Sequence, residues 1–390
     1  MAYFRNSTIN LLNLHYGIHS LALSGGGAFF VVFLLKSGVP ASAALASIAV
    51  ILLGRLAIRP IVLVLARRLG LKPLLLAGTI GSGLQYPLLA EVHGVDSALL
   101  LLCAVSSVGD TFYWTTYHAY FASLGDAEHR GHQVGAREAV AALVGIIGPL
   151  ATGWALAALG PRVAFGATAV VLVLAALPIV WTPNVEVRFN VTGALKAAAS
   201  SVLLFAADGW IAVGYAFVWQ IALFLSLGES YVAFGGAMAL SPVVGALSGM
   251  FLGQVIDAGH GVRAAWIALA ALAITTVLRA VSYGNAPFAV VANACGAIVT
   301  CVYLPVFGTA VYNQAKRSPC TLRFHIAAEA GWDVGGAAAS LIAAGLLAIG
   351  APLAACILLS PLGALASFVL LRRYYCGFEP RAKGVAVPGW

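Results

Sequence analysis

Apolar runs of about twenty residues recur from one end of this 390-residue chain to the other, each long enough to cross a bilayer core of about 30 Å. Inside lipid there is no water to satisfy a backbone amide, so every N–H and C=O in such a run must be paired within its own segment. The runs are therefore expected to be α-helices, beginning near residues 9, 41, 72, 97, 134, 162, 197, 231, 262, 286, 323 and 351. An outer-membrane barrel would need alternating segments of about ten residues, and the sequence has none. Only 9% of the residues are charged and 62% are hydrophobic, whereas a soluble domain carries roughly 25% charged residues.

The net charge of +8 invites a nucleic-acid partner, but its placement excludes that reading. Arg5, Arg67, Arg68, Lys72, Arg130, Arg137, Arg188, Lys196, Arg263, Lys316, Arg317, Arg323, Arg372 and Arg373 fall at alternate ends of the spans. The opposite loops hold Lys36, Arg162 and, by this reading, Arg279. Such a bias orients membrane proteins with their basic loops inside, so both termini are expected to be cytoplasmic and the membrane to be the cytoplasmic (inner) one. Of the six Cys, Cys103, Cys295, Cys301 and Cys356 lie within apolar runs, and no spacing suggests a disulfide framework or zinc. Residues 1–10 are too polar for a cleaved signal peptide, so the first run is expected to be a helix of the mature protein.

The second half of the chain repeats the layout of the first at an offset of 191 residues, which brings Gly70 onto Gly261, Lys72 onto Arg263 and Glu138 onto Glu329. The expected architecture is an all-α membrane protein of twelve transmembrane helices in two pseudo-symmetric six-helix bundles. Residues 1–182 would form the N-terminal bundle, 183–196 a cytoplasmic connecting loop, 197–373 the C-terminal bundle and 374–390 a cytoplasmic tail.

Three stretches carry a resemblance to a known family. Gly145, Gly148, Pro149 and Gly153 resemble the glycine–proline motif in the fifth helix of the major facilitator superfamily. Arg130 to Gly135 resembles the basic loop before that helix, and Gly253 to Arg263 resembles the family's loop between helices eight and nine. The matching loop between helices two and three, Ala66 to Lys72, keeps the glycine and the basic residues but lacks the usual aspartate. The resemblance implies secondary transport by rocking of two bundles about a central site, with the fifth-helix motif tilting the direction slightly toward export.

Ionisable side chains within the runs need an explanation, because burying charge in a membrane is expensive. Asp110 shares a helical face with Trp114, Tyr117 and Phe121, which suits a lipophilic cation or a proton site; alternatively it pairs with Arg55 as structural glue. Asp208 has Tyr215 and Trp219 on its face, and Asn293 and Tyr303 are further candidates to line the cavity. Arg59, next to Pro60, is expected to snorkel toward the cytoplasm, whereas Arg55 lies deeper and favours an anionic substrate. Glu329 and Asp333 are one helical turn apart, so their mutual repulsion makes Asp333, with Asp110, a candidate for proton coupling. Arg67, Arg68, Arg137, Glu138, Asp257, Arg263 and Glu329 are expected to form a cytoplasmic gate, with Glu329 reaching Arg67 or Arg68.

His15 and His19 stand at a spacing that metals use, but no third ligand is near, and polar lining of the cavity by His19 is preferred over a metal site. No Walker loop, nucleophile elbow or metalloprotease motif is present. The expectation is a proton-coupled carrier of a small molecule, without cofactor, metal, nucleic-acid partner or enzymatic activity, acting as a monomer in the lipid bilayer. An uncoupled facilitator, or a membrane sensor or assembly protein on the same fold, are the alternative classes.

Overall fold

Long helices laid antiparallel against one another account for nearly all of the structure, a computed structural model that describes residues 6–124, 130–187, 193–256 and 261–377. Side chains at position 122 and across 130–139 and 246–256 lie outside the described set. No strand occurs among the described residues. The first rod is α1 (Ser7–Ser24), capped by Asn6, then a 3-10 turn and α2 (Phe30–Lys36). α3 (Ala41–Leu69), α4 (Leu71–Ala90), α5 (Ser97–Leu124), α6 (Arg130–Ala158) and α7 (Pro161–Val180) complete the first half of the chain.

The second half opens with α8 (Ala194–Ala212), which runs through a π-helical stretch, Val213–Val218, into α9 (Trp219–Ser226). α10 (Tyr231–Ile256), α11 (Gly261–Ser282), α12 (Ala286–Arg317), α13 (Thr321–Ala348), and α14 (Leu353–Ile357) with α15 (Ser360–Cys376) follow. Ten rods are long and apolar enough to cross a membrane among the described residues, and α10 adds a shorter apolar stretch, Tyr231–Gly245. The helix α4 falls below that hydropathy because it carries Thr79, Ser82 and Gln85, all of them buried, with Ser82 and Gln85 bonding to α5.

Exposed apolar residues mark the outer wall. Leu100, Leu143, Val170, Ile274 and Leu341 each leave half or more of their surface uncovered. On a soluble protein so much exposed apolar surface would drive aggregation; facing acyl chains it is satisfied.

Glycine sets the closest helix contacts. A methyl at Gly331 or Gly335 of α13 would run into the carbonyl oxygens of Val202 or Ala206 of α8, and one at Gly209 of α8 into that of Trp332. Backbones therefore touch along this seam, as small residues permit in membranes. The fifth-helix motif makes a similar joint: Gly148 packs on Ser24 and Gly25 of the first rod, Gly145 faces Pro242, and Gly153 faces the Tyr231 carbonyl oxygen of α10. The most extensive contacts between the sequence halves run along two seams, α6 on α10 and α3 on α13.

Candidate functional site

The α3–α13 seam buries four charges. Arg55 and Arg59 are one turn apart on α3, as Glu329 and Asp333 are on α13, so the two pairs present the same period to each other. Arg59 Nε donates to Asp333 Oδ2 at 2.5 Å, and its Nη1 donates to Glu329 Oε2 at 2.9 Å and to Thr115 Oγ1 at 2.9 Å. Arg55 Nε stands 3.1 Å from Asp333 Oδ1, and its guanidinium lies 5.4 Å from the Trp332 ring. Asp333 is fully buried and Arg59 is 2% exposed. The four formal charges balance, which is the condition for keeping such a group out of water. Glu329 Oε1 and Asp333 Oδ1 accept no hydrogen bond.

This pairing differs from the sequence expectation in three ways. Arg55 meets Asp333 by ion pairing, while Asp110, half-buried, accepts from Ser82 Oγ at 3.4 Å. Glu329 takes Arg59 rather than Arg67 or Arg68. Arg59 does not snorkel, because two carboxylates of α13 hold it inside.

The aromatic side chains of α5 pack on those of α1. His19 stacks on Tyr113 at 3.8 Å, Trp114 meets His19 edge-on at 5.8 Å, and Tyr117 stacks on Tyr16 at 5.3 Å. His15 bonds the Ala175 carbonyl oxygen at 2.7 Å and Tyr113 Oη at 3.2 Å, so both of its ring nitrogens are occupied. Trp114 stacks with His118 at 5.7 Å, and His118 with His325 of α13 at 5.8 Å. His325 lies one turn before Glu329 on the same face and was not singled out from the sequence, although its i,i+4 spacing from Glu329 could have found it.

In the second half the expected face of Asp208, Tyr215 and Trp219 is divided, because the π-helical stretch begins at Val213 and shifts the register. Asp208 accepts from Trp332 Nε1 at 3.2 Å. Tyr215 Oη donates to the Gly296 carbonyl oxygen at 2.8 Å, and Trp219 Nε1 donates to Asn293 Oδ1 at 3.0 Å. Tyr303 Oη bonds Ser367 Oγ at 3.2 Å. Arg279, expected in a loop, is instead 4% exposed in the last turn of α11, with its guanidinium 4.0 Å from the Tyr215 ring and 5.0 Å from that of Trp219.

Contacts join the sequence halves at each end of the bundle. At the end away from the chain termini, Lys36 Nζ meets Glu229 Oε2 at 3.0 Å, beside Phe29, Phe224, Tyr231 and Phe234. At the other end His118 meets His325, and Leu322 packs with Ile9, Leu12 and Leu71.

Of the expected gate, Arg67 is half-buried and Arg68 and Arg263 are exposed. The side chains of Arg137 and Glu138, and all of Asp257, lie outside the described residues. Arg67, Arg68 and Gly70 line a cavity of about 580 Å³ with Asn184 and Glu186. Gly70 has φ +82 and abuts Asn184, whose Nδ2 donates to the Leu69 carbonyl oxygen at 2.8 Å. The segment joining the halves is thereby docked onto the α3–α4 turn.

Among solved structures the fold has full-length likenesses. An auto-inhibited POT-family peptide transporter is 13% identical with a TM-score of 0.64, covering 98% of both chains. The POT-family transporter PepTSo is 12% identical with a TM-score of 0.65, covering 95% of this chain and 99% of that one. The human organic anion transporter MFSD10 (TETRAN) is 16% identical with a TM-score of 0.66, covering 94% of this chain and 99% of that one. At such identities the likeness speaks for the fold alone. No curated protein matches the sequence. The family model of the Major Facilitator Superfamily matches residues 16–319. With most of its length inside that match and its apolar rods side by side, this multi-pass integral membrane protein belongs to the major facilitator superfamily of transporters.

Proposed function

We propose that the protein is a secondary transporter that moves a small molecule by alternating access, coupled to protons, with export favoured over uptake. The observation that carries this reading is the charge-balanced group of Arg55, Arg59, Glu329 and Asp333 buried between α3 and α13. A carrier that rocks must break contacts between its halves in each cycle, and an ion pair sealed from water is a contact whose strength a proton can switch. Glu329 Oε1 accepts no hydrogen bond, and Asp333 Oδ1 has only its ion pair with Arg55, so either oxygen is open to it. Once either acid is neutral, Arg59 has lost half of what holds it, and the halves part more easily.

The stacked pair His118 and His325 leads from the terminus-bearing end toward Glu329 and is a natural entry for the proton. Asp110 on α5 remains a second proton candidate. Substrate would sit between Arg55, His19, Asp110, Trp114 and Tyr117 on one side and Asp208, Tyr215, Trp219, Asn293 and Tyr303 on the other. Counting α4 and α10 with the ten apolar rods makes twelve spans, six in each half, with both termini in the cytoplasm of a cell whose inner membrane holds a monomer.

The test is proton flux in proteoliposomes with an entrapped pH dye, challenged with cationic, zwitterionic and anionic compounds. Flux evoked by one class is expected. Asp333→Asn should abolish that flux while leaving exchange of labelled substrate across the membrane. If Asp333→Asn and Asp110→Asn both leave uphill transport intact, the coupling is wrong and uncoupled facilitation takes its place. Silence from folded protein across the whole panel would instead favour a sensor or assembly role.

A further inference from the structure

The described residues hold three arginines buried within helices, Arg55, Arg59 and Arg279, which are 9%, 2% and 4% exposed. The first two face Glu329 and Asp333. Among the described residues Arg279 has no carboxylate partner. Its one hydrogen bond runs from Nη1 to the Tyr215 carbonyl oxygen at 2.5 Å, and its Nε is buried without an acceptor.

A guanidinium in an apolar helix bundle needs a counter-charge, and a carbonyl dipole with two ring faces softens that need without meeting it. The niche is built around the group. A methyl at Gly296 of α12 would run into Arg279 Nη2, so the room for the fork exists because position 296 has no side chain. Tyr215 is fixed by its bond to the Gly296 carbonyl oxygen. Trp219 is fixed by Asn293, whose Nδ2 donates at 2.8 Å to both the Ala237 carbonyl oxygen and Ser241 Oγ. Tyr215 and Cys295 beside the fork are only half-buried, so the niche is not sealed on that side.

We propose that Arg279 is an anion-binding residue of the transport site, taking the carboxylate of a flat organic acid whose apolar body lies along Tyr215 and Trp219. The inference rests on the transporter reading and narrows its substrate class. A planar fork with an unspent Nε matches a carboxylate in a way that a point charge does not. The fixed rings lower the ordering cost of binding. Neither Asp110 nor Asp208 carries the substrate's charge in this arrangement.

The test is thermal unfolding of the purified full-length protein in detergent with benzoate, benzamide or benzylamine as probes. Benzoate at about 100 times its half-saturating concentration should raise the Tm by a few degrees. Benzamide and benzylamine should not. Arg279→Gln should remove the benzoate shift, and Arg279→Lys should keep a reduced one. A benzoate shift no larger than that of benzamide overturns the proposal, and so does one that survives Arg279→Gln.

Should Arg279→Gln fail to yield folded protein, Arg279→Lys decides, because an unchanged benzoate shift there is equally fatal. Binding is read without any flux. Arg279-dependent benzoate binding beside absent transport would sink the transporter reading and leave the subsite. Organic-acid transport undiminished by Arg279→Gln would do the reverse.

Discussion

Arg59 donates to two acids of a single turn of α13 and to Thr115 of α5, so its removal leaves two carboxylates facing only Arg55. Breaking a buried pair from one side is costly, about 3–5 kcal/mol. Arg59→Met should therefore lower the unfolding temperature in detergent sharply. Adding Glu329→Gln should restore most of the loss, since Arg55 and Asp333 then balance alone. Failure of the second substitution to rescue the first would mean that Arg59 acts mainly through Thr115 and packing.

The members of this group were visible in the sequence as ionisable residues inside apolar runs, but their partners were not. A helical period gives each residue a face and a depth. It does not say which of two faces 270 residues apart will meet. The missed signal was the shared i,i+4 period of Arg55 with Arg59 and of Glu329 with Asp333. Arg279 was misplaced for a related reason: three residues from a helix end, a cation that folds back onto Tyr215 has the same sequence context as one in a loop.

Among the elements, the α8–α13 joint is the one most sensitive to volume. Gly331 and Gly335 lie four apart and both meet α8 backbone oxygens, so Gly331→Ala or Gly335→Ala must push the helices apart. The expected cost is about 1–3 kcal/mol each, read as a fall in unfolding temperature, with Gly345→Ala, which meets open space, as the neutral control.

Helix connections outside the membrane add a pH dependence of known sign. The amides of Leu99 and His93 hold the Asp96 carboxyl below its ordinary range, and Arg162 does the same for Glu91. Stability from such groups is complete above the unfolded carboxyl range, about pH 4, and is lost as the pH falls through their lower folded values. Asp96→Asn with Glu91→Gln should flatten the acid limb of the melting curve and leave neutral pH nearly unchanged. An unaltered acid limb would assign it to other acids. The helices themselves were the most legible level, because lipid permits little else. The π-helical stretch was not, since Val213–Val218 has the composition of an ordinary apolar helix.

For the molecule as a whole, contacts between the halves at both ends make a test of rocking possible. Lys36 and Glu229 join the halves at the end away from the termini, and Cys376 is the exposed cysteine among the described residues. With Cys376→Ser as background, a reducible cross-linker between cysteines placed at positions 36 and 229 should stop substrate flux, and reduction should restore it. Flux that persists through the cross-link would rule out opening at that end.

The ion group between α3 and α13 has a further consequence, which comes from its burial. Opposite charges attract strongly only while water is excluded, and the attraction collapses once water reaches them. The first water molecules to enter the seam weaken the force that kept them out. In the proposed carrier such a latch would give way all at once, switching between shut and open with little time in between, so that a substrate crossing it would rarely meet a leak.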